Sequence, residues 1–303
     1  MSDILKTVEL SKRFRGNSVL EGLNLAVPEG SLYGLVGPNG AGKTTTIKIL
    51  MNIIQATGGR SEALGVDSRR LGPREFAQIG YVSENQEMPE WMTVEYFLGY
   101  LRPFYPTWDE VREKELLRQF DLPLDRKLKH LSRGMRMKAA LASSLAYRPR
   151  LIVLDEPFTG LDPLVRDEFI QGLLENAEGT TMLISSHDLA EIESFASHIG
   201  YLDRGRLQFS EEMTALSERF REVEVTVTAP AGTMPDRPVT WPVTWLGREA
   251  SASVVRFVES QFQQERTLEQ VRRVFGEVQQ VSWNPMPLRE IFVTLAKAGR
   301  KAA

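Results

Sequence analysis

Gly37-Pro38-Asn39-Gly40-Ala41-Gly42-Lys43-Thr44 fills every fixed position of the pattern G-x-x-x-x-G-K-[ST]. The apolar run LYGLV at 32–36 precedes it, and a helical pattern, TTTIKILMNII, continues from Thr44. The spacing has a physical reason. Glycines let successive backbone N–H groups turn inward as a concave nest for an anion. The helix that follows presents free amides and its positive dipole end to the same charge. Lys43 adds a cation for terminal phosphates, and the Thr44 hydroxyl suits a magnesium ion. A chance glycine turn explains the glycines but not the strand before, the helix after, and Lys43 with Thr44 together. Gly37, Pro38, Asn39, Gly40, Ala41, Gly42, Lys43, Thr44 and Thr45 are therefore the candidate phosphate contacts.

LIVLDEP at 151–157 supplies a second part. A buried apolar strand ends there in two carboxylates. Asp155, at a rigid strand end, is the candidate metal ligand. Side-chain alternation sends the adjacent Glu156 the other way, which suits a base that orients water. Standing alone, such a pair equally well ends a strand in solvated acids.

Outward from these motifs, residues 1 to about 210 alternate short apolar runs with amphipathic stretches. LYGLV, LIVLD and MLIS at 182–185 read as buried strands. Helical patterns lie at 43–53, 110–120, 134–147, 164–176 and 188–197. Strands alternating with helices argue for a mostly parallel α/β sheet. From about 216 the texture changes. REVEVTVT at 221–228 alternates as a half-buried antiparallel strand, and APAGTMPDRPVTWP at 229–242 reads as a loop or hairpin. Another strand is expected at 253–258, a helix at 264–275, an extended stretch at 278–283 and a helix at 288–298, with a frayed tail GRKAA.

Composition narrows the class. The chain has 303 residues, enough for about two domains. Net charge is −3, which gives no electrostatic case for nucleic acid. Cysteine is absent, which excludes disulfides and thiolate chemistry. No apolar run approaches the roughly 18 residues of a membrane span, and MSDILKTVELSKRF lacks the apolar core of a secretory signal.

The remaining motifs fall in an order that resembles the nucleotide-binding ATPase subunit of an ATP-binding cassette (ABC) transporter, of the bacterial export type. The resemblance covers about residues 3–215. Leu131-Ser132-Arg133-Gly134-Met135 resembles the family signature, usually LSGGQ, although a Ser-capped helix start would look the same in isolation. Gly160-Leu161-Asp162 resembles the D-loop, His187 the switch histidine, and Phe14 the aromatic that stacks on adenine. A lone histidine is more often an ordinary core or surface residue, and an aromatic near a strand more often core.

The family fold is α/β: a P-loop NTPase cassette with a mixed, mainly parallel sheet and a helical subdomain. Here that implies a cassette over 1–215, its helical subdomain at about 88–148, and a small C-terminal α/β domain over 216–303. The implied cofactors are ATP and Mg²⁺. Glu156 and His187 would be catalytic. Phe14, the phosphate loop, Ser132, Gly134 and Asp162 would contact nucleotide, and Thr44, Glu84 and Asp155 would hold the metal. Two departures stand out. Arg133 and Met135 replace signature residues, and IGYVSENQ places Glu84 where the family has Gln, with Gln86 two residues on as the alternative.

The implied mechanism is a nucleotide sandwich. The phosphate loop of one subunit faces the signature of a second, in a homodimer or a heterodimer. The implied partner is an integral membrane permease used for export, with no nucleic acid, and the implied location is cytoplasmic, peripheral on the inner face of the cell membrane. The runner-up is a soluble ABC-type ATPase acting on ribosomes or DNA, disfavoured by a single cassette without sustained heptads. Residues 91–108 hold seven of the chain's 26 aromatics, where uniform placement would put fewer than two. They form either the core of the helical subdomain or, through Trp91, Tyr96 and Tyr100, a permease contact.

Overall fold

The computed structural model describes residues 2–84, 86–176, 178–228, 241–251 and 253–302. The chain divides into two compact units, Met1–Ser210 and Glu211–Ala303.

In the first unit two sheets share one core. The antiparallel sheet uses β1 (Asp3–Phe14), β2 (Asn17–Leu23) and β3 (Ala26–Pro28). After β4 (Leu32–Val36) and α1 (Lys43–Leu50) it is completed by β5 (Gly58–Ala63) and β6 (Val66–Asp67). Its order is β2-β1-β5-β6, with β3 also paired to β1.

A short α2 (Pro73–Phe76) leads to β7 (Ile79–Ser83). Three helices follow: α3 (Val94–Leu101), α4 (Glu110–Gln119) and α5 (Arg133–Leu145). Thr93, Asp109 and Ser132 start them by accepting hydrogen bonds from first-turn N–H groups. The chain then runs through β8 (Leu151–Asp155), α6 (Pro163–Glu175), β9 (Thr181–Ser186), β10 (His198–Asp203) and β11 (Arg206–Glu212).

The second sheet has the order β11-β10-β4-β9-β8-β7, and the pairs from β10 to β7 are parallel. β8 and β9 are buried at every position, as strands covered on both faces must be. Ile47, Ile49 and Leu50 of α1 pack in one cluster with Leu20, Leu23 and Val27 of the antiparallel sheet and Leu35, Val153 and Leu183 of the parallel one. Each such fully buried side chain contributes about 1.5–3 kcal/mol. This anchors the body of α1, whose first residue closes the phosphate loop.

One expected helix is not formed. Over 188–197 the structure has only a 3₁₀ turn, Leu189–Glu191. Local side-chain bonds win there. The Ala190 N–H donates to Asp188 Oδ1 at 3.0 Å, and the Ser186 hydroxyl bonds the Asp188 carbonyl and the Glu191 carboxylate.

The second unit contains α7 (Met213–Arg219), β12 (Arg221–Val227), β13 (Trp245–Ser251), β14 (Val254–Glu259), α8 (Gln264–Phe275), β15 (Val278–Pro285) and α9 (Leu288–Ala302). Its strands form an antiparallel sheet, β13-β14-β12-β15. Val223, Val225 and Val227 face a core with Trp245, Phe257 and Val271. The helix expected to end at 298 runs on to Ala302. The Pro- and Gly-rich stretch expected as a loop at 229–242 lies, through residue 240, outside the described residues.

Candidate functional site

Four neighbouring parallel strands, β4, β9, β8 and β7, end on one edge of their sheet. Their carboxyl ends carry the phosphate loop, His187, Asp155 with Glu156, and Glu84. Such an edge is where open α/β sheets bind ligands. A cleft of about 510 Å³ lies there, lined by Gly40, Gly42, Lys43, Thr44, Glu84, Glu156 and His187 among others.

The loop is shaped for close approach. Gly42 stands just before α1 with φ +108, and a Cβ on it would meet Leu20 Cδ2 at 2.6 Å. Lys43 is 5% exposed, and its Nζ donates to the carbonyls of Gly37 at 2.6 Å and Pro38 at 3.2 Å. The same ammonium lies 3.1 Å from Glu156 Oε1. Glu156 Oε2 accepts from His187 Nδ1 at 2.7 Å and from the Thr159 hydroxyl at 3.3 Å.

Strand alternation alone would turn Glu156 away from Asp155. Instead Glu156 adopts φ +51, a left-handed conformation that is sterically costly for a non-glycine residue. The peptide that makes this turn is tied down, because the Glu156 N–H donates to Ser185 Oγ at 2.9 Å. Ser185 in turn donates to Asp155 Oδ1 at 2.7 Å, and Thr44 Oγ1 donates to the same oxygen at 3.0 Å. Ser185 and Thr159 are participants to which sequence reasoning assigned no role. In the sequence Ser185 stands only as the last residue of the strand MLIS.

The two carboxylates are driven apart. Burial pushes Asp155 up, against hydrogen bonds from Ser185 and Thr44. Burial works to raise Glu156 as well, but hydrogen bonds from His187 and Lys43 prevail and hold it below the usual range. The Glu156 bond raises His187. Thr44, Asp155 and Glu84 offer only oxygen donors, and Thr44 and Asp155 already touch. Among the described residues no cluster of three or more His, Cys, Asp or Glu could hold a metal. A hydroxyl and a carboxylate, without a full protein cage, fit magnesium, which is commonly bound by one or two carboxylates plus phosphates and water.

The other candidates lie outside this cleft. Ser132 caps α5 by accepting from the Met135 N–H at 3.2 Å, and Asp162 caps α6 by accepting from the Val165 N–H at 3.1 Å. A Cβ on Gly134 would come 2.5 Å from Val165 Cγ1, so close packing of α5 on α6 also needs that glycine. Phe14 is 44% exposed at the end of β1, with Lys12 Nζ 4.7 Å from its ring centre. Between the alternatives Glu84 and Gln86, Glu84 lines the cleft, while Gln86 Oε1 accepts from the Ser83 N–H at 3.4 Å.

The aromatic cluster divides. Phe97 is buried, and Tyr105 stacks on Tyr147 at 3.9 Å, so these belong to the core of the helical segment. Trp91, Tyr96, Tyr100 and Phe104 are exposed. A separate groove of about 560 Å³ is lined by Ile53, Phe76, Met88, Phe97, Leu101 and Tyr147 among others, and Trp91, Tyr96 and Tyr100 are not in its wall.

Comparison with known proteins gives a consistent picture. Residues 20–159 match the family model for ABC transporters. The ABC transporter ATP-binding protein YtrB of Bacillus subtilis is 32% identical over 219 residues, 72% of this chain and 75% of YtrB. The daunorubicin resistance ATP-binding protein DrrA2 of Streptomyces coeruleorubidus is 40% identical over 207 residues, 65% of this chain. An uncharacterized ABC transporter ATP-binding protein of Synechocystis is 35% identical over 222 residues. The chain spans 63% of the length of DrrA2 and 62% of the Synechocystis protein. Among solved structures, an ATP-binding subunit of an ABC transporter superposes with a TM-score of 0.64 at 28% identity, covering 71% of this chain and 92% of that one. A dimeric post-hydrolysis state of the cassette MJ0796, bound to ADP and Pi, gives 0.60 at 25% identity, covering 69% and 98%.

Proposed function

Because this chain belongs to the ABC transporter family as one of its ATP-binding proteins, we propose that it binds ATP with magnesium, hydrolyses it, and powers export through a separate membrane permease. The observation that carries this reading is the meeting of Lys43, Asp155, Glu156 and His187 at one edge of the parallel sheet, beside the phosphate loop.

The roles follow from the bonds. The N–H groups of the phosphate loop that make no bond within the chain, with those at the start of α1, would cradle the phosphates. Lys43 exchanges Glu156 for a phosphate oxygen. Glu156, released on one side and still held by His187 on the other, takes the proton of the attacking water. His187 keeps its second ring nitrogen for the terminal phosphate. Magnesium, held by Thr44 and Asp155, would supply charge neutralisation at the terminal phosphates. Phe14 is exposed, as a ring that stacks on adenine must be.

Ser132, Gly134 and Asp162 are assigned to the nucleotide of a second subunit, identical or related. The dimeric form of the similar cassette MJ0796 supports this reading. DrrA2, named for daunorubicin resistance, supports export over import. The relatives favour a transporter over a soluble cassette acting on ribosomes or DNA. No helix among the described residues is long and apolar enough to cross a membrane. The reading gives that path to the permease and puts this chain against it on the cytoplasmic face, with the exposed Trp91, Tyr96 and Tyr100 as the contact. The cassette would be Met1 to about 215, with its helical subdomain at about 88–148, and the unit beyond it an accessory domain.

Calorimetry with MgATP tests the central claim. Saturable uptake in the micromolar to millimolar range is expected. Folded protein that takes up none would refute it.

A further inference from the structure

Glu84 and Arg133, two positions where the chain departs from the family pattern, meet each other. Arg133 Nη2 donates to Glu84 Oε1 at 2.6 Å. Each charge is badly placed on its own. Arg133 opens α5, whose first turn has no acidic residue. A cation there faces the positive end of the helix dipole. Glu84 lines the phosphate cleft together with Glu156, and its N–H donates to the Asp155 carbonyl at 3.0 Å. A second carboxylate in that lining repels a polyphosphate. The bond cancels both faults. The guanidinium is also steered from a second side, because it packs over Gly160. A Cβ at Gly160 would lie 2.9 Å from Arg133 Nη1.

We infer that Arg133 is a positioning residue that neutralises Glu84 and fixes its carboxylate at the mouth of the phosphate cleft, so that the cleft accepts magnesium-bound ATP despite the added negative charge. The inference rests on the nucleotide-binding reading of that cleft. It gives the signature arginine a task within its own subunit.

The test compares the wild-type chain with Arg133→Ala, Glu84→Gln, the double variant and Arg133→Lys. Two readouts are used: urea unfolding without nucleotide, and binding of a fluorescent ATP analogue with magnesium. Arg133→Ala is expected to weaken analogue binding about fivefold, or ~1 kcal/mol, a size suited to a partly exposed pair near a polyanion. Adding Glu84→Gln restores it to within about twofold, and Arg133→Lys stays within the same range because the charge persists. In urea, the double variant loses less than the sum of the single losses. Binding unchanged in Arg133→Ala, no recovery on adding Glu84→Gln, or additive losses in urea would each overturn the inference. If the wild-type chain bound no analogue, the reading of the cleft itself would fall instead.

Discussion

Glu156→Gln tests the site most sharply, because it removes one charge and almost no volume. In the structure that charge faces Lys43 Nζ at 3.1 Å and His187 Nδ1 at 2.7 Å. At an effective dielectric of about 20, two unit charges at the Lys43 distance attract by roughly 5 kcal/mol. Most of this is offset by the cost of desolvating both groups. Glutamine still offers an acceptor oxygen, and Lys43 keeps the Gly37 and Pro38 carbonyls. The expected loss of stability without nucleotide is therefore about 1–3 kcal/mol, the worth of a charged hydrogen bond. Lys43 is then no longer contested by a carboxylate, so MgATP binding holds or tightens. Turnover falls by about 10²- to 10⁴-fold, the usual contribution of a general base. Steady-state phosphate release measures turnover, and calorimetry measures binding. Size exclusion with ATP should show a dimer that persists. His187, without its carboxylate, should titrate closer to its ordinary 6.5 in an NMR pH series. If a folded variant that binds nucleotide turns over within about tenfold of the wild-type rate, Glu156 is not the base.

Three further outcomes follow from the geometry. His187 is raised by Glu156, so its contribution to stability is complete below about 6.5 and fades as pH rises through its folded value; lowered Glu156 contributes above about 4.5 and fades as pH falls through its own. The difference in urea midpoint between wild type and His187→Ala should therefore peak near pH 5.5 and shrink by pH 8, and a larger difference at pH 8 would disprove the pairing. Trp245 is 1% exposed and its ring stacks 3.8 Å from that of Phe257. Trp245→Ala should cost the second unit about 3–5 kcal/mol, with hydrogen-exchange protection lost over 211–303 and kept before it; equal loss in both units would show that they do not fold separately. Trp91, Tyr96 and Tyr100 are 63%, 55% and 51% exposed, so their alanine variants should unfold within about 1 kcal/mol of wild type. Larger losses would assign these rings to the core.

The phosphate loop and the Asp155–Glu156 pair were legible because their chemistry is local: one turn, one helix start, one strand end. Their meeting was legible only through the family order, since it depends on β4, β9, β8 and β7 lying side by side. The antiparallel sheet left little trace. β1 should alternate, yet Glu9 sits at φ +49 and the pairing register slips between Val8 and Ser11, which breaks the period. Leu189, Ile192 and Phe195 recur every third residue within the stretch expected as a helix at 188–197. A spacing of three suits a 3₁₀ turn as well as an α-helix, and the Asp188 and Ser186 side-chain bonds that decide between them are tertiary detail. The aromatic cluster was ambiguous because its sorting depends on Tyr147, distant in sequence, which covers Tyr105 and leaves Tyr96 and Tyr100 outside. No spacing rule could have paired Arg133 with Glu84.

The bonds that Lys43 makes inside its own chain bear on which anions can compete for this cleft in a cell full of chloride, sulfate and inorganic phosphate. Its charge is matched by two carbonyls and a carboxylate before any solute arrives. A small ion must displace that carboxylate with one or two contacts of its own, whereas a triphosphate brings several oxygens along the whole loop at once. If the cleft binds nucleotide as proposed, discrimination would come from the native competitor each anion has to evict rather than from a steric gate.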